Sequence, residues 1–473
     1  MNYKSIFFFL GIYAFLVSFF SIINILYSIY FDYILGLNSY LITFIVSLSI
    51  GILFFFIGRN NHQNISLLDQ IIFILLGFVF VPLLIIIPYY SSVYNISFLN
   101  SYFEAVSGIT TTGFTILRNI EYIDEPLLLW RSSSQWLGGL MFLVAIIGTL
   151  GTKKIKIKPA FLVYGGNLGN NFYNNFNYNF IKIFIIYLLS TIFIIFLYKL
   201  TNIRLLNSVN LAMTTISSGG FIPANNLSDI VVNDLQVFVV SLSLLFSIFN
   251  FYLFFNIFRK EGIFRNHQED FHLLILMSLV TLGVYFFLVP NFEFPKIFLA
   301  ITSSISTSGI YINNSYNNLS LFFILLTMVG GSLISTSSGF KYIRIYILLK
   351  ISHQEICRLV KPFNVTDKNL FNTETKIDDE DLKIAFLVFI SLVISIFVLS
   401  SILSLDHISF ENSFKLSILT ITNTATSSIY GLDNLFFFDL NNFTRVSLIF
   451  FMIIGKIEFI TLLYLIKGLI FKE

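Results

Sequence analysis

Phe103-Glu104-Ala105-Val106-Ser107-Gly108-Ile109-Thr110-Thr111-Thr112-Gly113-Phe114 is a short apolar segment that runs into hydroxyl residues and a glycine. An apolar run of about 10 to 14 residues is too short to cross a hydrocarbon core of about 30 Å. The segment from Ser97 to Val106 is therefore expected to enter a membrane and stop inside it. Non-helical backbone at that depth is tolerated only where it lines a cavity, because its N–H and C=O groups need partners. Carbonyls turned toward a common axis replace the hydration shell of a cation, and glycine allows the positive φ that such a turn uses. Taken alone, the segment reads equally well as a Thr-rich turn between two helices.

The surrounding composition decides the solvent. Only 11% of the 473 residues are charged and 56% are hydrophobic, against about 25% charged in an ordinary soluble chain. The class is a polytopic, all-α membrane protein. Its net charge of +3 carries no basic stripe that would suggest nucleic acid. Cys357 is the single cysteine, which excludes a disulfide framework and a Cys-rich metal site. His62, His267, His272, His353 and His407 form no metal-ligand spacing, and no Gly-x-x-x-x-Gly-Lys-Ser/Thr loop is present to cradle a nucleotide. The run from Met1 to Tyr30 has no small-residue cleavage site and reads as a retained first helix.

Spanning helices are predicted at Ser5 to Tyr30, Tyr40 to Ile57, Leu68 to Pro88, Leu127 to Leu150, Phe180 to Leu200 and Leu235 to Phe258, then at Phe271 to Val289, Leu319 to Leu349, Leu382 to Leu403 and Arg445 to Phe471. Lys153, Lys154, Lys156 and Lys158 follow the fourth span, Arg259, Lys260 and Arg265 the sixth, and Lys350, Arg358 and Lys361 the eighth. All fall on one side, which the positive-inside rule makes cytoplasmic along with both termini. The opposite connections carry the short segments. After two N-terminal spans (1–62), the chain divides into repeats at 63–158, 159–265, 266–362 and 363–473, each a helix, a short apolar segment, a hydroxyl-and-glycine turn and a second helix.

The second turn is Thr214-Thr215-Ile216-Ser217-Ser218-Gly219-Gly220-Phe221, after Leu205 to Met213. The third is Ser303-Ser304-Ile305-Ser306-Thr307-Ser308-Gly309-Ile310, after Pro295 to Thr302, with Pro295 suited to a helix start. The fourth is Thr420-Ile421-Thr422-Asn423-Thr424-Ala425-Thr426-Ser427, after Phe410 to Leu419. One such turn is ambiguous, but four on the non-basic side are what a single chain needs to close a ring around an ion. The expected filter comprises Thr111, Thr112, Gly113, Ser218, Gly219, Gly220, Thr307, Ser308, Gly309, Asn423, Thr424 and Ala425, with K+ at these residues. The short helices would aim their partly negative C-terminal ends at the axis, favouring a cation. Glu104 is expected to fix its own helix rather than meet the ion.

Gly330-Gly331-Ser332-Leu333-Ile334-Ser335-Thr336-Ser337-Ser338-Gly339-Phe340-Lys341 interrupts the eighth span. The apolar stretch around it is too long for one straight crossing, so a broken helix with a loop beneath the filter is expected, acting as a gate through Gly330, Gly331, Ser332, Ser335, Thr336, Gly339 and Lys341. The alternative is a close-packing device of small residues. Lys456 and Glu458 lie inside the last span, where an ionisable group is a functional candidate, and Lys456 is assigned to the gate. The acidic block between Lys361 and Lys383 (Asp367, Glu374, Asp378, Asp379, Glu380, Asp381) reads as a solvated cytoplasmic loop and a docking site for a soluble partner.

Together with Gln135-Trp136-Leu137-Gly138-Gly139, Lys341-Tyr342-Ile343-Arg344 and Gly455-Lys456-Ile457-Glu458-Phe459, these motifs resemble the Trk/Ktr/HKT superfamily of potassium transporters over nearly the whole chain. The resemblance implies a potassium-uptake pore in a bacterial cytoplasmic membrane. It also implies a homodimer with one pore per subunit, and a TrkA-like ring of nucleotide-binding regulatory subunits at the cytoplasmic face. It implies no enzyme activity and no cofactor in this chain beyond K+ as transported ion. Two residues depart from the family pattern: Ala425 stands at a usual glycine, and Lys456 at a usual arginine. A left-handed alanine at 425 would cost about 1 to 2 kcal/mol, and a lysine is less fixed than a planar guanidinium. A weakly selective K+/Na+ transporter is the neighbouring reading. A membrane-embedded sensor or enzyme is the reading from another class, and it lacks a clustered acid, base or metal set.

Overall fold

The computed structural model describes residues 2–59, 67–92, 94, 96–150, 172–259, 267–288, 293–312, 319–360, 369–371, 377–432 and 437–457. Every long element is helical. α1 (Tyr3–Tyr30) and α2 (Ile34–Gly58) pack on each other ahead of the repeats. Their approach is close because a Cβ on Gly11 would meet the Gly51 carbonyl oxygen at 3.1 Å, the small-residue contact that membrane helices use.

The first repeat is α3 (Leu67–Tyr90), α4 (Phe98–Ile109) and α5 (Glu125–Leu150). The second is α6 (Phe172–Leu200), α7 (Leu205–Ile216), α8 (Asp234–Ile248) and α9 (Phe251–Arg259). The third is α10 (Gln268–Gly283) with a π-helical continuation at Val284–Leu288, then α11 (Phe294–Ser306), α12 (Ser320–Val329) and α13 (Tyr342–Val360). The fourth is α14 (Asp379–Ser404), α15 (Phe410–Ile421) and α16 (Asn442–Ile457). The first helix of every repeat contains a stretch long and apolar enough to cross a membrane, as do α1 and α2.

The short helices α4, α7, α11 and α15 are the re-entrant elements, of 12, 12, 13 and 12 residues. Two share a start signal. Ser97 accepts the Asn100 N–H and Ser409 accepts the Asn412 N–H, each at 3.4 Å, within matching Ser-Phe-x-Asn-Ser sequences. α11 starts on Pro295, whose missing N–H is no loss in a first turn.

The predicted sixth span is not one helix. It breaks at Phe249-Asn250, although the run lacks both glycine and proline. Tertiary partners supply the reason: Asp270 accepts the Asn250 N–H at 3.0 Å, and the Phe251 N–H donates to the Ile334 carbonyl at 3.1 Å. The eighth span breaks between α12 and α13, as its glycines predict. The acidic block is partly a helix start rather than a free loop, since Asp378 and Asp381 form a capping box on α14. Lys153, Lys154, Lys156, Lys158, Lys260, Arg265, Lys361, Asp367, Glu374, His62 and Glu458 lie outside the described residues.

Candidate functional site

The four re-entrant helices end in the same way, and the ending builds the site. Thr111, Ser218, Thr307 and Asn423 each adopt a left-handed backbone, with φ of 55°, 55°, 61° and 50°. Each then closes the same pair of hydrogen bonds. The N–H groups of these four residues donate to the carbonyls of Gly108, Thr215, Ser304 and Thr420. Those of Thr112, Gly219, Ser308 and Thr424 donate to Ser107, Thr214, Ser303 and Leu419. This is the Schellman termination, in which glycine usually holds the left-handed position. Here no glycine holds it. A β-branched threonine at positive φ is an outlier, and left-handed non-glycine residues cost on the order of 1 to 3 kcal/mol each where the surrounding structure enforces them. Strain of this kind, repeated four times at one place, makes the place the candidate site.

The strained turns leave buried carbonyls without a backbone donor. Among the described residues, no backbone N–H donates to the carbonyls of Thr111, Thr112, Ser218, Gly219, Thr307, Ser308, Asn423 or Thr424, and all eight residues are buried. Their side chains are occupied elsewhere. Thr112 Oγ1 lies 2.7 Å from Thr110 Oγ1, Thr424 Oγ1 lies 2.9 Å from Thr422 Oγ1, and Asn423 Nδ2 donates to both Thr112 Oγ1 (2.9 Å) and the Met452 carbonyl (2.8 Å). Such buried, chain-unpaired carbonyls are the donor set that a dehydrated alkali cation takes.

The third residues of the four turns converge. A Cβ on Gly113 would lie 2.8 Å from Gly220 Cα and 2.9 Å from Ala425 Cβ. One on Gly220 would lie 2.2 Å from Ala425 Cβ and 2.6 Å from the Ser308 oxygen, and one on Gly309 would lie 2.4 Å from the Ala425 oxygen. All twelve sequence-predicted filter residues thus fall on four turns that meet. Gly113 and Gly309 have φ of 80° and 69°, whereas Ala425 is not in the left-handed region. The backbone strain expected for alanine at 425 is therefore absent, and what alanine adds is a methyl among three glycines.

The second helices hold the turns from outside. α5 touches the first two: a Cβ on Gly138 would meet the Ile109 oxygen at 2.0 Å, and Gln135 Oε1 accepts the Phe221 N–H at 3.2 Å. In the fourth repeat Gly455 stands against the Ile421 oxygen in the same manner. Glu104 accepts from Thr115 Oγ1 (3.0 Å), the Ile116 N–H (2.9 Å) and Arg131 Nε (3.0 Å). It anchors the chain leaving the first turn, and Arg131 lies 4.1 Å from the centre of the Phe221 ring. A pair buried this deeply is costly to break by removing one partner.

Beneath the turns lies residues 330–341, held between α12 and α13. Thr336 Oγ1 donates to the Ile216 carbonyl (2.8 Å), Ser218 Oγ to the Thr336 carbonyl (2.9 Å), and the Ser338 N–H to Thr307 Oγ1 (3.0 Å). The segment therefore touches the second and third turns. Gly330, Gly339 and Lys341 have positive φ, of 66°, 84° and 75°. Lys341 folds back into the segment, and its Nζ donates to the carbonyls of Ser332 (3.3 Å), Ser335 (3.3 Å) and Ser337 (2.5 Å) and to Ser335 Oγ (3.1 Å). Gly331 closes on Ser337 Oγ through its N–H at 2.9 Å.

Lys456 joins this segment to the first turn. Its Nζ donates to Thr111 Oγ1 (2.6 Å), Ser338 Oγ (3.1 Å) and the Thr336 carbonyl (3.2 Å), and it stands 4.3 Å from the centre of the Phe142 ring. The flexible stem expected from sequence is thus pinned at three points. Sequence reasoning missed Glu269 and Asp270 at the first turn of α10: Glu269 accepts the Leu333 N–H at 3.1 Å. Two adjacent carboxylates opening a membrane helix were the available signal.

No protein-family model matches the chain. An uncharacterized cation transporter of Methanocaldococcus jannaschii is 26% identical, covering 97% of this chain and 94% of that protein. The Trk system potassium uptake proteins TrkG and TrkH of Escherichia coli K12 are each 24% identical, over 93% and 91% of this chain and 92% of each relative. The solved structure of the potassium transporter TrkH from Vibrio parahaemolyticus superposes with a TM-score of 0.86 at 21% identity, covering 98% of both chains. Relatives matched over nearly the whole chain and a shared fold lead to one conclusion: the chain is similar to the Trk potassium uptake proteins in sequence and to TrkH in fold.

Proposed function

We propose that this chain passes potassium ions inward through a pore formed by its four turns. The carrying observation is the fourfold recurrence of one strained helix ending, with buried carbonyls left unpaired by the chain around a common point. Thr111, Thr112, Gly113, Ser218, Gly219, Gly220, Thr307, Ser308, Gly309, Asn423, Thr424 and Ala425 line the filter, and residues 330–341 with Lys456 form the gate. The membrane potential supplies about 2.3 kcal/mol per charge per 100 mV, so uptake needs no chemistry in this chain. It is a transporter and not an enzyme. It works in a bacterial cytoplasmic membrane with both termini inside, as a homodimer whose gate answers to a TrkA-like nucleotide-binding subunit. The names of its relatives, which include potassium uptake proteins, support this reading.

Expression in a bacterium lacking its own potassium uptake tests the proposal. Growth at low external K+ is the expected result, with Na+ competing weakly. Growth that fails although the protein reaches the membrane removes potassium uptake. Rescue that Na+ abolishes in equal proportion selects the weakly selective reading, which the methyl at Ala425 favours.

The filter has its own test at Gly113. A side chain there meets both a φ of 80° and Gly220 Cα at 2.8 Å, a strain of about 1 to 2 kcal/mol. Gly113→Ser is expected to lower K+/Na+ discrimination roughly tenfold, since 1.4 kcal/mol is a factor of ten. Permeability ratios measured in reconstituted vesicles check this, and unchanged ratios in Gly113, Gly220 and Gly309 variants together would remove the filter assignment.

A further inference from the structure

Two interrupted helices complete each other inside this protein. The break between α8 and α9 leaves carbonyls at Ser247 and Ile248 and an N–H at Phe251. The break between α12 and α13 leaves N–H groups at Ser332 and Ser337 and a carbonyl at Ile334. These groups pair across the gap: Ser332 N–H to Ile248 (2.9 Å), Ser337 N–H to Ser247 (3.2 Å) and Phe251 N–H to Ile334 (3.1 Å). A Cβ on Gly331 would meet the Ile248 oxygen at 2.5 Å, so the two backbones are in direct contact. Buried backbone groups released by one break need partners, and the other break provides them.

One dipeptide on a third element holds both sides. Glu269 Oε1 accepts the Leu333 N–H at 3.1 Å, on the 330–341 side. Asp270 Oδ1 accepts the Asn250 N–H at 3.0 Å, on the α8–α9 side. Asp270 Oδ2 lies 3.2 Å from His267 Nδ1, and His267 Nε2 lies 2.9 Å from Asn256 Nδ2 on α9. His267, Glu269 and Asp270 are buried, and Glu269 is within electrostatic reach of Lys341, which braces the loop from inside.

We infer that Glu269 and Asp270 form a carboxylate latch, with Glu269 the positioning residue that keeps residues 330–341 docked beneath the filter and Asp270 the residue that ties this docking to α9. The inference rests on reading that segment as the gate. The loop cannot leave its seat without releasing the Leu333 N–H from Glu269, and a displacement of the α9 start pulls on the adjacent carboxylate in the same helical turn. α9, α10 and the loop therefore move as one unit, and force applied at the cytoplasmic end of α9 or α10 reaches the ion pathway through these two side chains.

The test uses the full chain in lipid vesicles, with amide hydrogen exchange over residues 331–337 and cation flux read on the same preparations. Glu269→Ala is expected to speed exchange in this segment about tenfold while α4 and α7 keep their protection, since local opening follows local anchoring. Flux is expected to rise in the same variant, and Glu269→Gln, which keeps an acceptor oxygen, should fall between it and wild type. Unchanged loop exchange in a folded Glu269→Ala protein overturns the latch, as does faster exchange spread evenly over the pore helices. If Glu269→Ala does not fold, Asp270→Asn and Glu269→Gln carry the same comparison, and wild-type exchange in both overturns it. Faster loop exchange without added flux keeps the latch and removes the gate, which separates the two readings.

Discussion

Lys456→Gln is expected to raise inward cation flux about tenfold in a protein that folds and reaches the membrane as well as wild type. The buried Lys456 Nζ stands between Thr111 of the first turn and Thr336 and Ser338 of the segment below, held by three hydrogen bonds. On the proposed pathway, a cation leaving the filter meets this side chain at close range. Two unit charges about 6 Å apart at an effective dielectric of about 20 repel by roughly 3 kcal/mol, so a tenfold gain from removing one of them is a conservative expectation. Gln keeps a donor for Thr111 or Thr336 and a similar length. It also relieves repulsion from Lys341, which shares the Phe142 ring with Lys456. Lys456→Arg should preserve or reduce flux, because the charge remains and gains a fork of donors. Uptake of a tracer cation into vesicles of matched protein content measures both. Lower flux in a well-folded Lys456→Gln protein would make the side chain a strut between filter and loop, and the barrier idea would be wrong.

The position of Lys456 was legible because a lysine inside an apolar run is rare enough to demand a role. The four turns were legible for a similar reason: hydroxyl residues recur at matching positions in four repeats, with glycine beside them in three. Their left-handed endings were not, since Thr111, Ser218 and Thr307 are residue types that avoid positive φ, and only the packing around them enforces it. Asn423 alone is a type that tolerates this geometry. The break at Phe249-Asn250 was only partly visible. Asn250 is a local cue, its Oδ1 accepting the Tyr252 N–H at 3.0 Å, but the partners that complete the break, Asp270 and Ile334, come from other elements. The break between α12 and α13 carried its own glycines and was visible. The turns near the axis were thus written in composition, whereas the linkage between the two broken helices was written mainly in tertiary contacts.

Moving one methyl across the ring tests whether the four turns act together. Ala425 Cβ is the atom that a side chain on Gly220 would strike at 2.2 Å, and it also lies 2.9 Å and 3.0 Å from the Cβ positions of Gly113 and Gly309. One methyl therefore occupies the space that three glycines leave open. Because Ala425 is free of left-handed strain, Ala425→Gly acts by clearance rather than by relaxing backbone. It is expected to raise K+ flux and sharpen K+ over Na+, since four equivalent small positions let all four turns approach the ion alike. Gly220→Ala in the wild-type background sets two methyls in one place and presses on the Ser308 oxygen at 2.6 Å. Overpacking of this kind costs about 1 to 3 kcal/mol, and flux should fall at least tenfold. The double variant Gly220→Ala with Ala425→Gly restores the methyl count to one and should recover part of the loss, because the Ser308 contact remains. Residues in direct contact show coupling of about 0.5 to 3 kcal/mol in a double-mutant cycle, so the sum of the single effects should miss the double variant by at least a factor of two. Strict additivity in flux and in K+/Na+ ratio would mean that the two turns do not share a constriction, and the assignment of Ala425 to the filter would fall with it.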